Sequence, residues 1–92
     1  MQEIKKGNHQ FYIGEDETNA IAKVTFKDKD ESTIIVDHTY VSEELRGQGI
    51  AGKLYNTITD YARKENKKIV PQCSYIKTKI EHNKADHDLI AE

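Results

Sequence analysis

The chain has 92 residues, which is enough for one domain (residues 1–92) with a single modest hydrophobic core. Its net charge of −2 argues against a general binder of nucleic acid, so we expect no nucleic-acid partner. No apolar run approaches the roughly 20 residues that span a membrane, and the start lacks a signal-peptide core, so we expect a cytoplasmic monomer with no membrane partner. One cysteine excludes an internal disulfide, and the four scattered histidines lead us to expect no metal site.

Short apolar runs bounded by turn residues predict three strands in the first half of the chain, at residues 9–13, 19–27 and 32–41, and the second of these alternates cleanly between apolar and polar residues. Residues 1–8 are predicted to be irregular, and the acidic run at 28–31 is predicted to be a hairpin turn. The third strand is apolar on both faces around Ile34 and Ile35, which is typical of a strand that is covered on both sides.

Apolar residues at the spacing of one helix face predict a helix from Ile50 to about Glu65. Residues 67–73 then predict a short buried strand. Pro71 requires an edge position or a bulge there, because proline has no N–H to donate to a sheet.

A second helix is predicted to follow, with Ser74 as its N-cap and with Tyr75, Ile76 and Ile80 on its inner face. The tail is expected to dock near Leu89 and Ile90. The order β-β-β-α-β-α predicts an α+β fold, in which a mostly antiparallel sheet carries one right-handed β-α-β crossover and a C-terminal helix.

The most informative stretch, residues 46–53, reads Arg-Gly-Gln-Gly-Ile-Ala-Gly-Lys and stands at the start of the first helix. A glycine-rich turn that opens into a helix leaves backbone N–H groups free, and the helix dipole adds positive charge there. Cations are unfavourable at a helix N-terminus, so Arg46 and Lys53 suggest that an anion such as phosphate binds. The alternative is an ordinary solvated turn in which Glu43 and Glu44 neutralise the two cations.

Three motifs overlap in this stretch. The dinucleotide fingerprint G-x-G-x-x-G is matched by Gly47, Gly49 and Gly52. A dinucleotide-binding domain is disfavoured, however, because five residues separate the preceding strand from the first glycine and because the next strand does not end in an acidic residue. Residues 47–53 also spell G-x-x-x-x-G-K, but Leu54 stands where a nucleotide-hydrolysing domain needs a hydroxyl for Mg²⁺. A mononucleotide-binding domain therefore stays a minor alternative. The third pattern, Arg/Gln-x-x-Gly-x-Gly/Ala, is matched by Arg46, Gly49 and Ala51.

The third pattern resembles the pyrophosphate loop of the GNAT acetyltransferases, and the predicted strand, loop and helix around it resemble the core of the GNAT fold. The segments 38–41 and 71–75, which contain Pro71-Gln72-Cys73-Ser74-Tyr75, are similar to small stand-alone GNAT-like domains of the YjdJ type. The resemblance runs from about the second strand to Ile80. The sequence departs from the family pattern after His82, where Asn83-Lys84 stands in place of a proline that is frequent in the family.

The resemblance implies that acetyl-coenzyme A binds this protein. The pyrophosphate would be held by the N–H groups of residues 48–52, and the pantetheine arm would lie between the third and fourth predicted strands, where a backbone N–H near Val41 would polarise the thioester carbonyl. The implied cofactor-binding residues are Tyr40, Val41, Arg46, Gly47, Gln48, Gly49, Ile50, Ala51, Gly52, Lys53, Gln72 and Cys73.

The resemblance also implies three candidate catalytic residues. Cys73 would lie beside the acetyl group, where the start of a helix favours a reactive thiolate, although a free cysteine can equally pack as a small apolar side chain. His38 could be the base that deprotonates an amine, or a strand histidine satisfied by hydrogen bonds. Tyr75 could protonate the departing coenzyme thiolate, or pack as a core aromatic.

The acceptor is the least defined part of the expected function. The stretch before the first strands has no room for the extra helices that larger GNAT enzymes devote to the acceptor. We therefore expect an openly accessible amine, such as an exposed lysine or a polyamine. The alternative is a coenzyme A or acyl-coenzyme A binding module with little or no turnover.

Overall fold

The computed structural model describes residues 3–91 and contains one five-stranded sheet with the strands in chain order. The strands are β1 (Lys5–Gly7), β2 (Gln10–Gly14), β3 (Ala20–Asp30), β4 (Thr33–Val41) and β5 (Lys68–Pro71). Strands β1 to β4 are antiparallel, whereas β5 lies at the edge, parallel to β4. The predicted α+β architecture is confirmed, and Pro71 lies in an edge strand as its missing N–H requires.

Two helices follow the antiparallel part of the sheet, α1 (Ile50–Lys64) and α2 (Ser74–His82). A 3₁₀ turn at Glu43–Leu45 precedes α1, and a 3₁₀ helix at Lys84–Leu89 follows α2. Because α1 connects the parallel strands β4 and β5, it is the helix of the predicted crossover. No helix within residues 3–91 combines the length and apolar character needed to cross a membrane.

The buried side chains of the sheet share one face, which we call the core face, and they form one cluster with the buried side chains of both helices. From the sheet it contains Phe11, Ile13, Ala22, Val24, Phe26, Ile34, Val36 and Ile69. The opposite face, which we call the open face, carries partly exposed side chains that include Tyr12, Lys23, Thr25, Ile35 and Val70. The prediction that β4 is covered on both sides is therefore wrong, since both helices pack on the core face.

The N-terminal part of the chain differs from the sequence prediction in two places. Residues 5–7, predicted to be irregular, form the edge strand β1, since a two-residue turn at Asn8 and His9 folds them back onto β2. His9 has a positive φ of 59°, which helps to close this turn. Strand β3 continues to Asp30, so the hairpin turn lies at residues 31–32 rather than 28–31. Met1 and Gln2, which belong to the predicted irregular start, lie outside the described residues.

Helix α2 begins at Ser74 as expected, but its N-cap is Cys73 and no side chain caps it, so the prediction of Ser74 as the N-cap is wrong. The predicted docking of the tail is confirmed. Leu89 is buried, and the Ala91 N–H donates to the Ile69 carbonyl at 2.8 Å. These contacts place the tail against β5.

A polar network between two residues of α1, Tyr55 and Arg63, and the residues after α2 holds the turn that leads into this tail. The Tyr55 hydroxyl donates to Asp86 Oδ2 at 2.6 Å, and Arg63 Nη2 donates to Asp86 Oδ1 at 2.8 Å. Arg63 Nη1 also donates to Asp88 Oδ2 at 2.8 Å. Burial raises the pKa of Tyr55, and its bond to the Asp86 carboxylate acts in the same direction. Asp88 and then Asp86 raise the pKa of Arg63, so the arginine remains charged.

Candidate functional site

Strands β4 and β5 separate halfway along β4. Their parallel pairing ends at Val36 and Pro71, and the Val36 carbonyl accepts bonds from the N–H groups of both Gln72 and Cys73, each at 3.0 Å. Beyond this point β5 leaves the sheet for α2, whereas β4 continues to Val41, paired only with β3. The last five residues of β4 therefore present a backbone edge that no other strand covers within residues 3–91.

The backbone alternation of β4 determines which N–H groups face this edge. The Ser42 N–H donates to the Ile21 carbonyl of β3 at 2.8 Å. In an antiparallel pair, successive residues turn their N–H groups to opposite edges, so the Val41 N–H faces the separation. The Val41 N–H is therefore available as the donor to a thioester carbonyl that the resemblance implies near this residue.

The glycine-rich turn between β4 and α1 adopts a conformation that requires its glycines. Gly47 and Gly49 have φ values of 84° and 73°, in the left-handed region. A Cβ atom added at Gly47, Gly49 or Gly52 would meet no atom within 4 Å. The turn therefore surrounds open space rather than protein.

The turn presents a continuous row of backbone donors. The first α-helical bond runs from the Lys53 N–H to the Gly49 carbonyl. Within residues 3–91, the six preceding N–H groups, at residues 47–52, have no protein acceptor. Free donors at a helix N-terminus, together with the helix dipole, form a site for an anion.

The two cations beside the turn are free to face such an anion. Arg46 and Lys53 are both exposed, and neither forms an ion pair with any described residue. Glu43 and Glu44, which were the alternative partners, lie in the 3₁₀ turn and form no ion pair within residues 3–91, while the Gln48 amide donates to the backbone carbonyl of Glu44. The geometry favours the anion-binding interpretation over the neutralised turn.

An open cleft of about 350 Å³ connects the turn with the end of β4 and the start of α2. Its lining residues come from all three elements and are Val41, Leu45, Arg46, Gly47, Gly49, Ile50, Ala51, Gly52 and Tyr75. Eight of these nine belong to the predicted site. Leu45 was not predicted, although a buried apolar residue within a charged loop is a signal that could have identified it.

Cys73 lies where the strands separate and is half-buried. Its Sγ atom is 3.4 Å from Thr39 Oγ1, so the Cys73 side chain, which follows β5, contacts a side chain of β4 across the separation. Tyr75 stands two residues further along and lines the cleft. Burial raises the pKa of Tyr75, and the Cys73 sulfur acts in the same direction, so the phenol keeps its proton at neutral pH.

The remaining predicted residues do not line the cleft. Gln48, Lys53 and Gln72 are exposed beside it. His38 and Tyr40 lie on the open face, where they pair with Thr25 and Lys23 of β3. The structure therefore brings Cys73 and Tyr75 together but places His38 on the other face of the sheet.

Two polar side chains at the site were missed by the sequence interpretation. Thr39 is the partner of Cys73. Ser42 lies between β4 and the 3₁₀ turn, and its buried Oγ has no hydrogen-bond partner within residues 3–91. Neither had a sequence signal, since a threonine in a strand and a serine in a loop are common.

Comparison with known proteins identifies the family of this chain. The family model described as GCN5-related N-acetyl-transferase matches residues 10–89. The chain belongs to the GNAT family. Its GNAT fold is also found in the solution structure of a GCN5-like putative N-acetyltransferase from Staphylococcus aureus. That protein is 43% identical, with a TM-score of 0.81 over 97% of this chain and 87% of the other.

Two larger acetyltransferases share the fold at lower identity. A GNAT family acetyltransferase from Elizabethkingia anophelis, solved with acetyl-CoA bound, is 18% identical with a TM-score of 0.58, over 78% of this chain and 49% of that protein. The ribosomal-protein-alanine N-acetyltransferase from Brucella melitensis biovar Abortus 2308 is 24% identical with a TM-score of 0.57, over 90% and 61%. The search of curated proteins found no match.

Proposed function

We propose that this GNAT protein binds acetyl-coenzyme A and transfers the acetyl group to an amine. The observation that carries the proposal is the row of six free N–H donors at residues 47–52, of which all but Gln48 belong to residues that line the same cleft as Val41 and Tyr75. Membership of the GNAT family supports the choice of acetyl-coenzyme A over other phosphate-containing ligands. The solved Elizabethkingia protein shows that a chain with this fold can hold that ligand.

The residues fit the ligand in three respects. The glycine turn offers N–H donors and open space for a pyrophosphate, and Arg46 adds a free positive charge. The uncovered edge of β4 offers backbone groups to an amide-containing arm, as a further strand would pair with them. The Val41 N–H, turned to this edge, would stabilise negative charge that develops on a carbonyl oxygen.

When bound, acetyl-coenzyme A supplies an activated thioester. Tyr75, which keeps its proton at neutral pH, can donate that proton to a thiolate leaving group. Cys73 offers a nucleophile at the point where the strands separate, and His38 offers a base on the open face. The proposed catalytic residues are therefore Cys73, Tyr75 and His38, and direct and covalent transfer both remain compatible with this arrangement.

The second candidate function is a coenzyme A binding module with little or no turnover. It is favoured by one observation, that the open face next to β4 is uncovered within residues 3–91 and leaves Tyr40 41% exposed. Cys73→Ala separates the two functions if Cys73 takes part in chemistry. In this variant, an acetyltransferase that uses the thiol keeps its affinity for acetyl-coenzyme A but loses turnover. A binding module also keeps its affinity and has no turnover to lose.

The first experiment is a thermal unfolding curve with acetyl-coenzyme A, with ATP and NAD as controls. A ligand at about 100 times its dissociation constant adds roughly 2.7 kcal/mol to the unfolding free energy, which raises the Tm of so small a domain by several degrees. We expect this shift with acetyl-coenzyme A alone. A larger shift with ATP would favour a nucleotide site instead, and no shift with any of the three would contradict both candidate functions.

A further inference from the structure

A β-bulge in β4 places a carboxylate on the open face, just where β4 and β5 separate. Thr25 pairs with His38 and Phe26 pairs with Val36, so Asp37 is an extra residue in β4. The Thr25 hydroxyl donates to Asp37 Oδ1 at 2.6 Å. Because Thr25 belongs to the open face, this bond holds the Asp37 carboxylate there, next to the side chain of His38.

This carboxylate is available to a ligand. Asp37 and His38 are both exposed, and within residues 3–91 Asp37 forms no ion pair. The carbonyl of the neighbouring residue Val36 accepts the hydrogen bonds from the N–H groups of Gln72 and Cys73, which are the last backbone bonds before the strands separate. A molecule held by Asp37 would therefore lie where the uncovered edge of β4 begins, on the face opposite the cleft.

We propose that Asp37 binds the ammonium group of the acceptor, which approaches from the open face. This inference rests on the proposed acetyl transfer and specifies its acceptor site. The ammonium would lie next to His38, whose ring nitrogen can take one proton as the acceptor's N–H bond breaks, leaving a lone pair on the amine. Tyr40, on the same face and 41% exposed, offers an aromatic surface to the acceptor's carbon chain or to its charge.

The neighbouring rows of the open face restrict the acceptor to one positive charge. The row on one side of Thr25 pairs Lys5, Tyr12, Lys23 and Tyr40 across four strands, and the row on the other side pairs Lys27, Ile35 and Val70. These rows contain three lysines and no carboxylate, so a second ammonium on the same molecule would be repelled. The acceptor class is therefore a primary amine with a single positive charge rather than a polyamine.

Binding of an amine can be measured without the cofactor. Hexylamine and hexamethylenediamine, which share a carbon chain, are titrated into the wild type and Asp37→Asn, with the backbone amide NMR signals as the readout. Asp60→Asn is the matched control, since Asp60 is exposed on α1, away from β4. We expect hexylamine to shift the Asp37, His38 and Tyr40 signals in the wild type and control, and to bind Asp37→Asn about fivefold more weakly.

A second pair of variants tests the role of Thr25. Thr25→Val removes the hydroxyl that holds the carboxylate and should weaken hexylamine binding, whereas Thr25→Ser should retain it. Equal hexylamine affinity in the wild type and Asp37→Asn, or shifts confined to other residues, would overturn the proposal. Binding of hexamethylenediamine more than twofold tighter than that of hexylamine would overturn the single-charge restriction.

The same variants separate this inference from the proposed function. Asp37→Asn should leave the acetyl-coenzyme A melting shift unchanged while raising the KM for hexylamine about fivefold. Absence of the melting shift in the wild type would count against acetyl-coenzyme A binding, and the NMR titration would still decide the role of Asp37. A normal melting shift with an unchanged KM would retain the proposed function and reject the Asp37 site.

Discussion

The two ends of helix α1 carry similar side chains but use them differently. At the C-terminal end, Arg63 is held by the carboxylates of Asp86 and Asp88, in agreement with the helix dipole. At the N-terminal end, Arg46 and Lys53 stand against the dipole, with no anionic partner among the described residues. The same kind of charge is therefore satisfied by the chain itself at one end and left for a ligand at the other.

The two ends of α1 also differ in their packing and in how many of their backbone N–H groups are free. The C-terminal end lies against the tail, where Arg63 binds Asp86, and Asp86 also accepts a hydrogen bond from Tyr55, a buried residue in the first half of the helix. The N-terminal end leaves six N–H groups without a protein acceptor and open space above three glycines. We infer that the C-terminal end contributes to stability and the N-terminal end to binding, so substitutions at the two ends should affect different measurements.

The largest expected effect is on ligand affinity, in Gly52→Asp. A carboxylate in the first turn of α1 would occupy the space that an anion needs and would repel it, so we expect at least a roughly 100-fold loss of acetyl-coenzyme A affinity, about 2.7 kcal/mol. The same substitution should raise the Tm of the ligand-free protein, because it removes a helical glycine and places a negative charge at the positive end of the dipole. Calorimetric titration and thermal unfolding measure the two effects.

Gly52→Ala is the matched control for the charge. It should also raise the Tm of the free protein, but its smaller, neutral side chain should cost less affinity. Unchanged affinity in Gly52→Asp would contradict the assignment of the N-terminal end as the anion site.

The second effect is on stability, in Asp86→Ala. This substitution leaves the Tyr55 hydroxyl and one nitrogen of Arg63 without their shared partner, so we expect a loss of about 2 kcal/mol of unfolding free energy. The Tm should fall by roughly 10 °C. Affinity for acetyl-coenzyme A, measured below the transition, should not change. A large loss of affinity at full folding would show that the two ends of α1 are coupled.

The sequence predicted the fold well wherever side-chain periodicity determines it. The alternation in β3 and the helical spacing in α1 each follow a buried face, so they appear directly in the order of residues. Strand β1 was missed because Lys5-Lys6-Gly7 buries no apolar row. It is held by backbone pairing with β2, which leaves no pattern in the side chains.

The candidate site, too, was predictable only where a feature of the backbone requires a particular residue type. The glycine turn was predictable because left-handed backbone at Gly47 and Gly49 requires a particular residue type. The Asp37 bulge was not, since an extra residue in one strand depends on the register with its partner, and a single strand does not reveal that register. The open face was mistaken for a covered one because Ile35 and Val70 are as apolar as their buried neighbours.

A smaller effect is expected when one cation at the N-terminal end is removed. Arg46→Ala should lower the affinity for acetyl-coenzyme A about fivefold, and the difference from the wild type should shrink at high salt, because an exposed charge is screened. Lys64→Ala, an equal change of charge at the other end of α1, should leave the affinity unchanged. A similar loss in both variants would mean that only the net charge of the protein matters.

The smallest expected effect is the pH dependence that Asp88 contributes. Arg63 lowers the pKa of Asp88 from its ordinary value of 3.8, first through their hydrogen bond. The folded protein therefore binds this proton less readily than the unfolded chain. The stabilisation is complete above the ordinary carboxyl range, and it is lost as the pH falls through the lowered folded-state pKa. The unfolding free energies of the wild type and Asp88→Asn should accordingly differ at neutral pH and converge as the pH falls below the ordinary carboxyl range. A difference that stays constant over this range would show that the Arg63–Asp88 pair does not stabilise the fold through its charge.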